Sequence, residues 1–562
     1  MANLNNSRML FFTTSPRTPF KMIPEIELLG KNFNGKKWDK KTQISFIELL
    51  SEEGFFNGKG SKNNLDLSAR DRINRSPKAL GFVKLNPTIE LTEVGKLFVS
   101  SKRKEEILLR QLLKFQLPSP FHTQSKENTN FCIKPYLEII RLIYHFGTLN
   151  FDEIMLFGLQ MTSYKKFDDI VKMIEDFRVE KIKNHGKYKQ FKAKKQEDVI
   201  LKLFENEISS GKIDIRETRE KSIKKFISTK SNNMRDYTDA CFRYLRSTGI
   251  VNVSQRGHSL SIASEKKTDV EFILSTIDRN PVFVDDEVKY TEMLYDSKFP
   301  ILYTDNEDVL IEKLLKYTNL PNSYIRELSF HEKKELLFET VESKKRDIIS
   351  QQITDIKDYK QYDDIMNTFN DIEKKNVLDI PLMLEWNTWR AMTMLDGGLI
   401  KANFKFDDNG VPMSTAQGNM ADIVCNYDEF GLTVEVTTAS GQKQYEMESE
   451  PVSRHLAKYK KETGKNAYCL FIAPKINEAC IAHFFMLHKM NIAFYGGKSV
   501  ILPIDIEIFK KMLTDSYKAD YQPNPNQVKS LFEYSLEVAE KTDNEVEWYG
   551  KVTEKAMNWL SA

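Results

Sequence analysis

Two acidic residues stand inside apolar, strand-like runs: Asp422 in MADIV at 420–424, and Glu435 in GLTVEVT at 431–437. A short loop between the runs predicts paired strands that bring the two carboxylates side by side. Carboxylates so placed repel unless a cation joins them. Hard oxygen donors with open water positions favour Mg²⁺, which lowers the pKa of a bound water and stabilises a five-coordinate phosphate. The Val436 carbonyl, next to Glu435, is a third candidate oxygen for the metal. Glu385 lies on the apolar helical run DIPLMLEWNTWRAM at 379–392, and Glu448 and His455 are two helical turns apart around the next helix. These positions offer a further metal ligand and a general base or phosphate contact. The bland reading of the carboxylate pair is the solvent face of a hairpin.

Other motifs fail on spacing. The glycine-rich run at 54–60 is one residue short of a phosphate-binding loop and lacks the Ser or Thr after its lysine, and HEKKE at 331–335 ends in Glu where a zinc protease needs its second histidine. Neither a GxSxG nucleophile elbow nor a dinucleotide GxGxxG occurs. The five cysteines (Cys132, Cys241, Cys425, Cys469, Cys480) are odd in number and lack a CxxC pair, which argues against a disulfide framework or zinc finger and for a reducing, cytoplasmic setting. Cys425, Cys469 and Cys480 read as core packing, and His483 and His488 as structural. No apolar window reaches the length of a membrane span, and the first ten residues lack a signal-peptide core.

Those site residues need elements to hold them. At 562 residues the chain predicts two to four domains, and its net charge of +3 hides a division. Residues 1–260 hold 47 basic and 30 acidic residues, a net of +17, and the remainder carries −14. The basic part is an electrostatic footprint for a polyanion, most often nucleic acid. Clustered carboxylates in the acidic part would meet a phosphodiester only through metal ions.

Within the basic part, the order helix (44–51), arginine-rich helix (65–82), hairpin (83–91) and helix (92–100) resembles a winged helix. A similar order recurs with an amphipathic helix at 235–246, a strand at 249–253, a turn and a returning strand at 259–263. Residues 181–195 carry seven Lys and no acid, a basic loop or phosphate clamp. Residues 268–305, acidic and punctuated by Pro281 and Pro300, read as a linker region. After it come helices at 307–317 and 329–370, the latter broken. They precede a mixed core: helix 379–395, strands 419–427 and 431–438, helix 452–462, buried strand 466–473, helix 477–490, strand 499–504 and a helical tail.

The order of these last elements, with acids on the first helix and the paired strands, resembles the PD-(D/E)xK nuclease core. The final motif is Glu435-Val436-Thr437, with threonine where that core has lysine. Lys443, His455 or a second metal ion are the candidates for the lysine's part. More closely, FFTTSPR at 11–17, FQLPSPFH at 115–122, LTEVGKLF at 91–98 and the core with Glu385, Asp422, Glu435, Glu448 and His455 in register resemble the AlwI family of type IIS restriction and nicking endonucleases.

The resemblance covers nearly the whole chain and implies a FokI-like plan. A recognition domain at 1–267 with two winged-helix-like subdomains would read a short asymmetric duplex site, GAGTC being the expectation. An α/β PD-(D/E)xK-type domain at 306–562 would cut one strand a few base pairs downstream with Mg²⁺. Arg8, Arg17, Lys21, Arg70, Arg72, Arg75, Lys78, Arg235 and Arg256 are the candidate DNA contacts. Cutting both strands would need a second copy or a small nuclease subunit. The other reading is a DNA-binding regulator whose nuclease fold is degenerate at Thr437.

Overall fold

The computed structural model of the chain describes residues 4–56, 64–122, 130–213, 221–407, 409–413, 415–416, 420–519 and 521–560. Parts of two sequence expectations lie outside these residues: positions 57–60 of the rejected glycine-rich run, and Asn419 at the expected start of a strand. The chain is mostly helical, with three sheets among the described residues, and divides into two compact units. The first holds residues 1–52, 58–254 and 258–341; the second holds 53–57, 255–257 and 342–562. No described helix is long and apolar enough to cross a membrane.

In the first unit, helix Leu65–Ile73 and the short helix Ser76–Ala79 lead into an antiparallel ladder, Val83–Lys84 on Glu90–Leu91, and then helix Glu93–Ser100. The Thr92 hydroxyl caps that helix by accepting the Gly95 N–H at 3.0 Å. Gly95 is required there, because a Cβ would lie 1.9 Å from the Phe82 carbonyl oxygen. Its absence lets Phe82 stack on Phe98 with ring centroids 4.3 Å apart. The amphipathic helix is longer than its apolar pattern indicated, Ile223–Arg246, and feeds Val251–Val253 into a three-stranded antiparallel sheet with Ser259–Ile262 and Thr148–Asn150.

Two expectations change here. The lysine run at 181–195 is the end of helix Phe167–Lys183 and the start of helix Tyr188–Leu203 rather than a loop. Residues 268–305 are not a linker: they fold into the first unit, whose boundary falls at Val341–Glu342 inside the long helix Phe330–Lys357. The reason is a set of charge-assisted bonds that the composition does not reveal. Arg110 donates to the Lys298 carbonyl at 2.9 Å and to Asp305 at 2.8 Å. Lys334 donates to Glu106 at 2.9 Å, and Lys334, Arg110 and Arg103 hold the partly buried Glu106 down to about 2 against desolvation.

The second unit is built around one mixed sheet. Its strands are β1 (Ile400–Ala402), β2 (Ile423–Asn426), β3 (Gly431–Val436), β4 (Ala467–Ala473) and β5 (Ile501–Asp505), ordered β5-β4-β3-β2-β1. The β1–β2 and β2–β3 pairs are antiparallel, and β3–β4 and β4–β5 are parallel. All seven residues of β4, AYCLFIA, are buried, as a central strand covered on both faces requires. The end of helix Phe330–Lys357 and helix Tyr362–Glu373 precede the helices around the sheet, which are α1 (Ile380–Asp396), α2 (Gln442–Thr463), α3 (Glu478–Lys489), α4 (Ile506–Lys518), α5 (Pro525–Lys541) and α6 (Glu545–Met557). Helix α1 packs on β3 and α4, while α2 packs on β3, β4 and α3. The α1 helix is buried along nearly its whole length, and its Trp389 indole N–H donates to the Ile400 carbonyl at 3.2 Å. Cys425, Cys469 and Cys480 are free and buried in this core.

His488 on α3 is fully buried, with Nδ1 donating to the Phe484 carbonyl at 2.8 Å and Nε2 accepting the Ser535 hydroxyl at 3.1 Å. Burial lowers its pKa to about 4. The unfolded chain therefore takes up this proton first, and stability falls as pH drops from about 6.5 toward about 4. Urea unfolding of the second unit at pH 7 and pH 5 should show wild type losing roughly 2 kcal/mol more than His488→Gln. Equal losses in the two proteins would rule out His488 as a source of acid sensitivity.

Candidate active site

Cross-strand register sets the site. Ile423 faces Val434 across the β2–β3 ladder, so one step further along, Asp422 lies opposite Glu435. The main chain fixes this apposition, because the Val436 N–H donates to Asp422 Oδ2 at 2.9 Å and the Asn403 N–H donates to the Asp422 carbonyl at 3.1 Å. The alternation of β3 puts Thr433, Glu435 and Thr437 on one side of the strand, and the side chains of α2 reach them there. His455 and Glu435 share a 2.8 Å Nδ1···Oε1 hydrogen bond. The Thr437 hydroxyl donates to Glu448 Oε1 at 2.6 Å and accepts the Ala439 N–H at 3.0 Å.

Of the expected site residues, Glu435, Glu448 and His455 are thus joined through β3 and α2, and Asp422 is joined to them through the backbone of β3. Glu385 reaches the group by its field. Its own carboxylate Oε2 accepts the Ala416 N–H at 2.9 Å, and it raises the Glu435 pKa. Glu435 is only 6% exposed. Burial, followed by the nearby charges of Glu448 and Glu385, pushes its carboxyl well above the usual range, with Arg454 opposing. Burial also raises Glu448, against the Thr437 hydrogen bond and His455, and lowers His455 to about 4. Burial thus disfavours the charged form of both partners in the Glu435–His455 contact. A buried carboxyl crowded by two further carboxylates is the electrostatic complement of a cation.

Among the described residues no three His, Cys, Asp or Glu side chains already converge as a metal cage. The donor chemistry nevertheless fits a hard divalent cation. All the acidic side chains offer oxygen, and a cation would relieve the like-charge crowding that raises the Glu435 carboxyl.

Three features were absent from the sequence reading. Helix α2 begins at Gln442 rather than at 452, and the Pro451 within it removes one N–H from the helical ladder between the turns of Glu448 and His455. Gln444 is buried and ties the ends of two strands together. Its Nε2 donates to the Ala439 and Lys475 carbonyls at 2.9 and 3.0 Å, and its Oε1 accepts the Asn477 N–H at 2.7 Å. Of the two side chains weighed for the missing lysine's part, Lys443 is exposed on the first turn of α2 and His455 touches Glu435.

The candidate DNA contacts divide by their partners. Lys21 and Arg235 are exposed, and Lys78 lies 5.0 Å from the Phe121 ring centroid. Arg17, Arg70 and Arg75 pair at the surface with Asp236, Asp66 and Asp71, contacts a phosphate can displace at little cost. Arg8 is bonded to Glu207. Arg72 is engaged by the buried Glu25, and Arg256 is held between Asp364 and Asp371, so these two have structural partners that local sequence did not disclose.

The model of the AlwI restriction endonuclease family matches residues 78–512, a span that includes every residue of this site. The chain belongs to the AlwI restriction endonuclease family. Among solved structures, it is similar to the small subunit (R.BspD6I2) of the heterodimeric restriction endonuclease R.BspD6I. That match has 28% identity over 35% of this chain and 96% of that one, with a TM-score of 0.28. No curated protein matches the chain.

For this AlwI-family nuclease, Thr437→Val keeps the shape of the side chain but removes the hydroxyl donor from the partly buried Glu448 carboxyl. DNA cleavage should fall about tenfold or more, the equivalent of roughly 1–3 kcal/mol, while Thr437→Ser stays near wild type. A Thr437→Val enzyme of unchanged rate would show that the hydroxyl has no part in the site.

Proposed function

We propose that this chain is a site-specific DNA endonuclease of the type IIS or nicking kind, acting on double-stranded DNA in the cytoplasm. It binds a short asymmetric site, GAGTC by the family resemblance, and hydrolyses a phosphodiester a few base pairs downstream with Mg²⁺. The observation that carries this reading is the apposition of Asp422 and Glu435 on paired strands, with Glu448 and Glu385 adding negative charge around a buried Glu435. The strand–helix order supports reading the second unit as a PD-(D/E)xK-type domain. The helix–hairpin orders at 65–100 and 223–262, with the basic charge of residues 1–260, support winged-helix recognition in the first unit. The cleavage domain then begins at about residue 342 rather than 306.

In the mechanism, Asp422, Glu435 and the Val436 carbonyl would hold Mg²⁺. The bound metal would supply a water of lowered pKa and charge neutralisation at the scissile phosphate. Glu435 would serve as a carboxylate ligand, and His455, whose Nδ1 lies 2.8 Å from Glu435 Oε1, would orient it. Glu448, fixed by Thr437, orients the attacking water, and Glu385, fixed by the Ala416 N–H, orders the hydration shell. One such site cuts one strand, so cutting both needs a second copy of the chain or a small nuclease subunit.

Incubation of the full chain with supercoiled plasmid and Mg²⁺, followed by run-off sequencing, tests this reading. Open circles broken at one fixed distance from a short site identify a nickase, and linear product a double-strand cutter. Asp422→Ala should lower the rate about a thousandfold, by loss of several kcal/mol of metal-dependent stabilisation. Plasmid left intact by a folded, DNA-binding wild type would instead favour the regulator with a degenerate site, to which Thr437 in place of lysine points.

A further inference from the structure

The second unit as a whole is acidic: residues 342–562 hold 26 Lys and Arg against 33 Asp and Glu. Residues 451–500 reverse that balance, with eight basic and two acidic residues. The fold gathers six of these cations around one cavity of about 1010 Å³, lined by Arg454, Lys458, Lys460, Lys461, Lys465 and Lys498, and no carboxylate lines it.

Three of these lysines lack a carboxylate partner. Lys460 donates to the Lys498 carbonyl at 2.8 Å, and burial lowers its pKa without an acid to offset it. Lys465 donates to the Asn426 side-chain oxygen at 3.0 Å and to the Tyr427 carbonyl at 2.7 Å. Lys461 is exposed and has no hydrogen bond or ion pair among the described residues. Arg454, Lys458 and Lys498 pair with Glu450, Glu462 and Glu540, which lie outside the lining, so the repulsion that a bound anion would relieve is that of the other three lysines, of which Lys460 and Lys465 are partly buried. Phe494, 75% exposed, adds an apolar surface to the lining.

The position of the cavity indicates which anion. Arg454 is the neighbour of His455 on α2, and its field reaches Glu435. From there Lys458 and Lys461 continue along α2 to its C-terminal turn, away from the acidic cluster. A phosphodiester placed against Glu435 belongs to a chain of further phosphates, and this row of cations begins where the cluster ends. We propose that the cavity beside α2 is a second DNA-binding surface, which takes the backbone phosphates of the duplex flanking the scissile bond. Its role is to hold the cut flank against an acidic unit that would otherwise repel it. The proposal rests on the endonuclease reading above.

The test is binding of the full chain to a fluorescein-labelled duplex, by anisotropy across a salt series with Ca²⁺ in place of Mg²⁺. The double variant Lys458→Ala/Lys461→Ala changes two exposed side chains, and its folding is checked by thermal unfolding. Each phosphate that a lysine no longer neutralises makes the dependence of log K on log[salt] shallower by about 0.9, so the slope of the double variant should be shallower by about 1.8. Lys541→Ala/Lys551→Ala, on the same unit outside the cavity, should keep the wild-type slope. A Lys458→Ala/Lys461→Ala slope equal to wild type overturns the proposal and leaves the endonuclease reading standing. A wild type without affinity for duplex DNA overturns both.

Discussion

Everything in the second unit depends on burying Glu435 next to other acids. The pairing of β2 with β3 leaves no choice, because the register that puts Ile423 on Val434 also puts Asp422 against Glu435. Water cannot screen these charges, and Glu448 and Glu385 add to them. Positive charge relieves the crowding, which is why burial and these neighbours push the Glu435 carboxyl upward and why a cation would fit beside it. The fold therefore stores an affinity for positive charge at one end of its central strands. That is the property a phosphodiesterase site of oxygen ligands needs.

The surrounding elements keep this cluster from relaxing. A carboxylate on a loose loop would turn to solvent, but Asp422 is held by two main-chain bonds and Glu385 by the Ala416 N–H. Gln444 fixes the chain after β3 to the chain after β4, so the start of α2 is anchored where Thr437 meets Glu448. Packing then carries the order outward. The α1 helix is buried along nearly its whole length and bonded to β1 through Trp389, so Glu385 is presented by one of the most enclosed elements of the unit.

Much of this was legible in the sequence because it is local. The alternation around Asp422 and Glu435, the seven-residue apolar run of β4 and the spacing of Glu448 and His455 each mark an element and a face. The short strand β1 was not legible, since its three residues carry no periodicity. The expected helix at 452–462 left out the ten N-terminal residues of α2, which run through Pro451, a residue that local pattern disfavours inside a helix. The supposed linker at 268–305 looked like one because acid and proline are common in linkers. Its carboxylate Asp305 in fact meets Arg110 and Lys334, partners 195 and 29 positions away. The same limit hid the partners of Arg72 and Arg256: an arginine's composition-level meaning changes once a distant carboxylate claims it. Family membership was legible from motifs spread along the chain, and the matched residues 78–512 run through both units.

The central claim is that the Asp422–Glu435 pair is a cation site, and metal binding tests it without requiring turnover. Titration of the full chain with Mn²⁺, the free ion being followed by electron paramagnetic resonance, should show saturable binding in wild type. Glu435→Gln, which keeps the shape and removes the charge, should abolish that binding. Saturable binding that survives Glu435→Gln unchanged, or a folded wild type that takes up no Mn²⁺ with or without duplex DNA, would contradict the account.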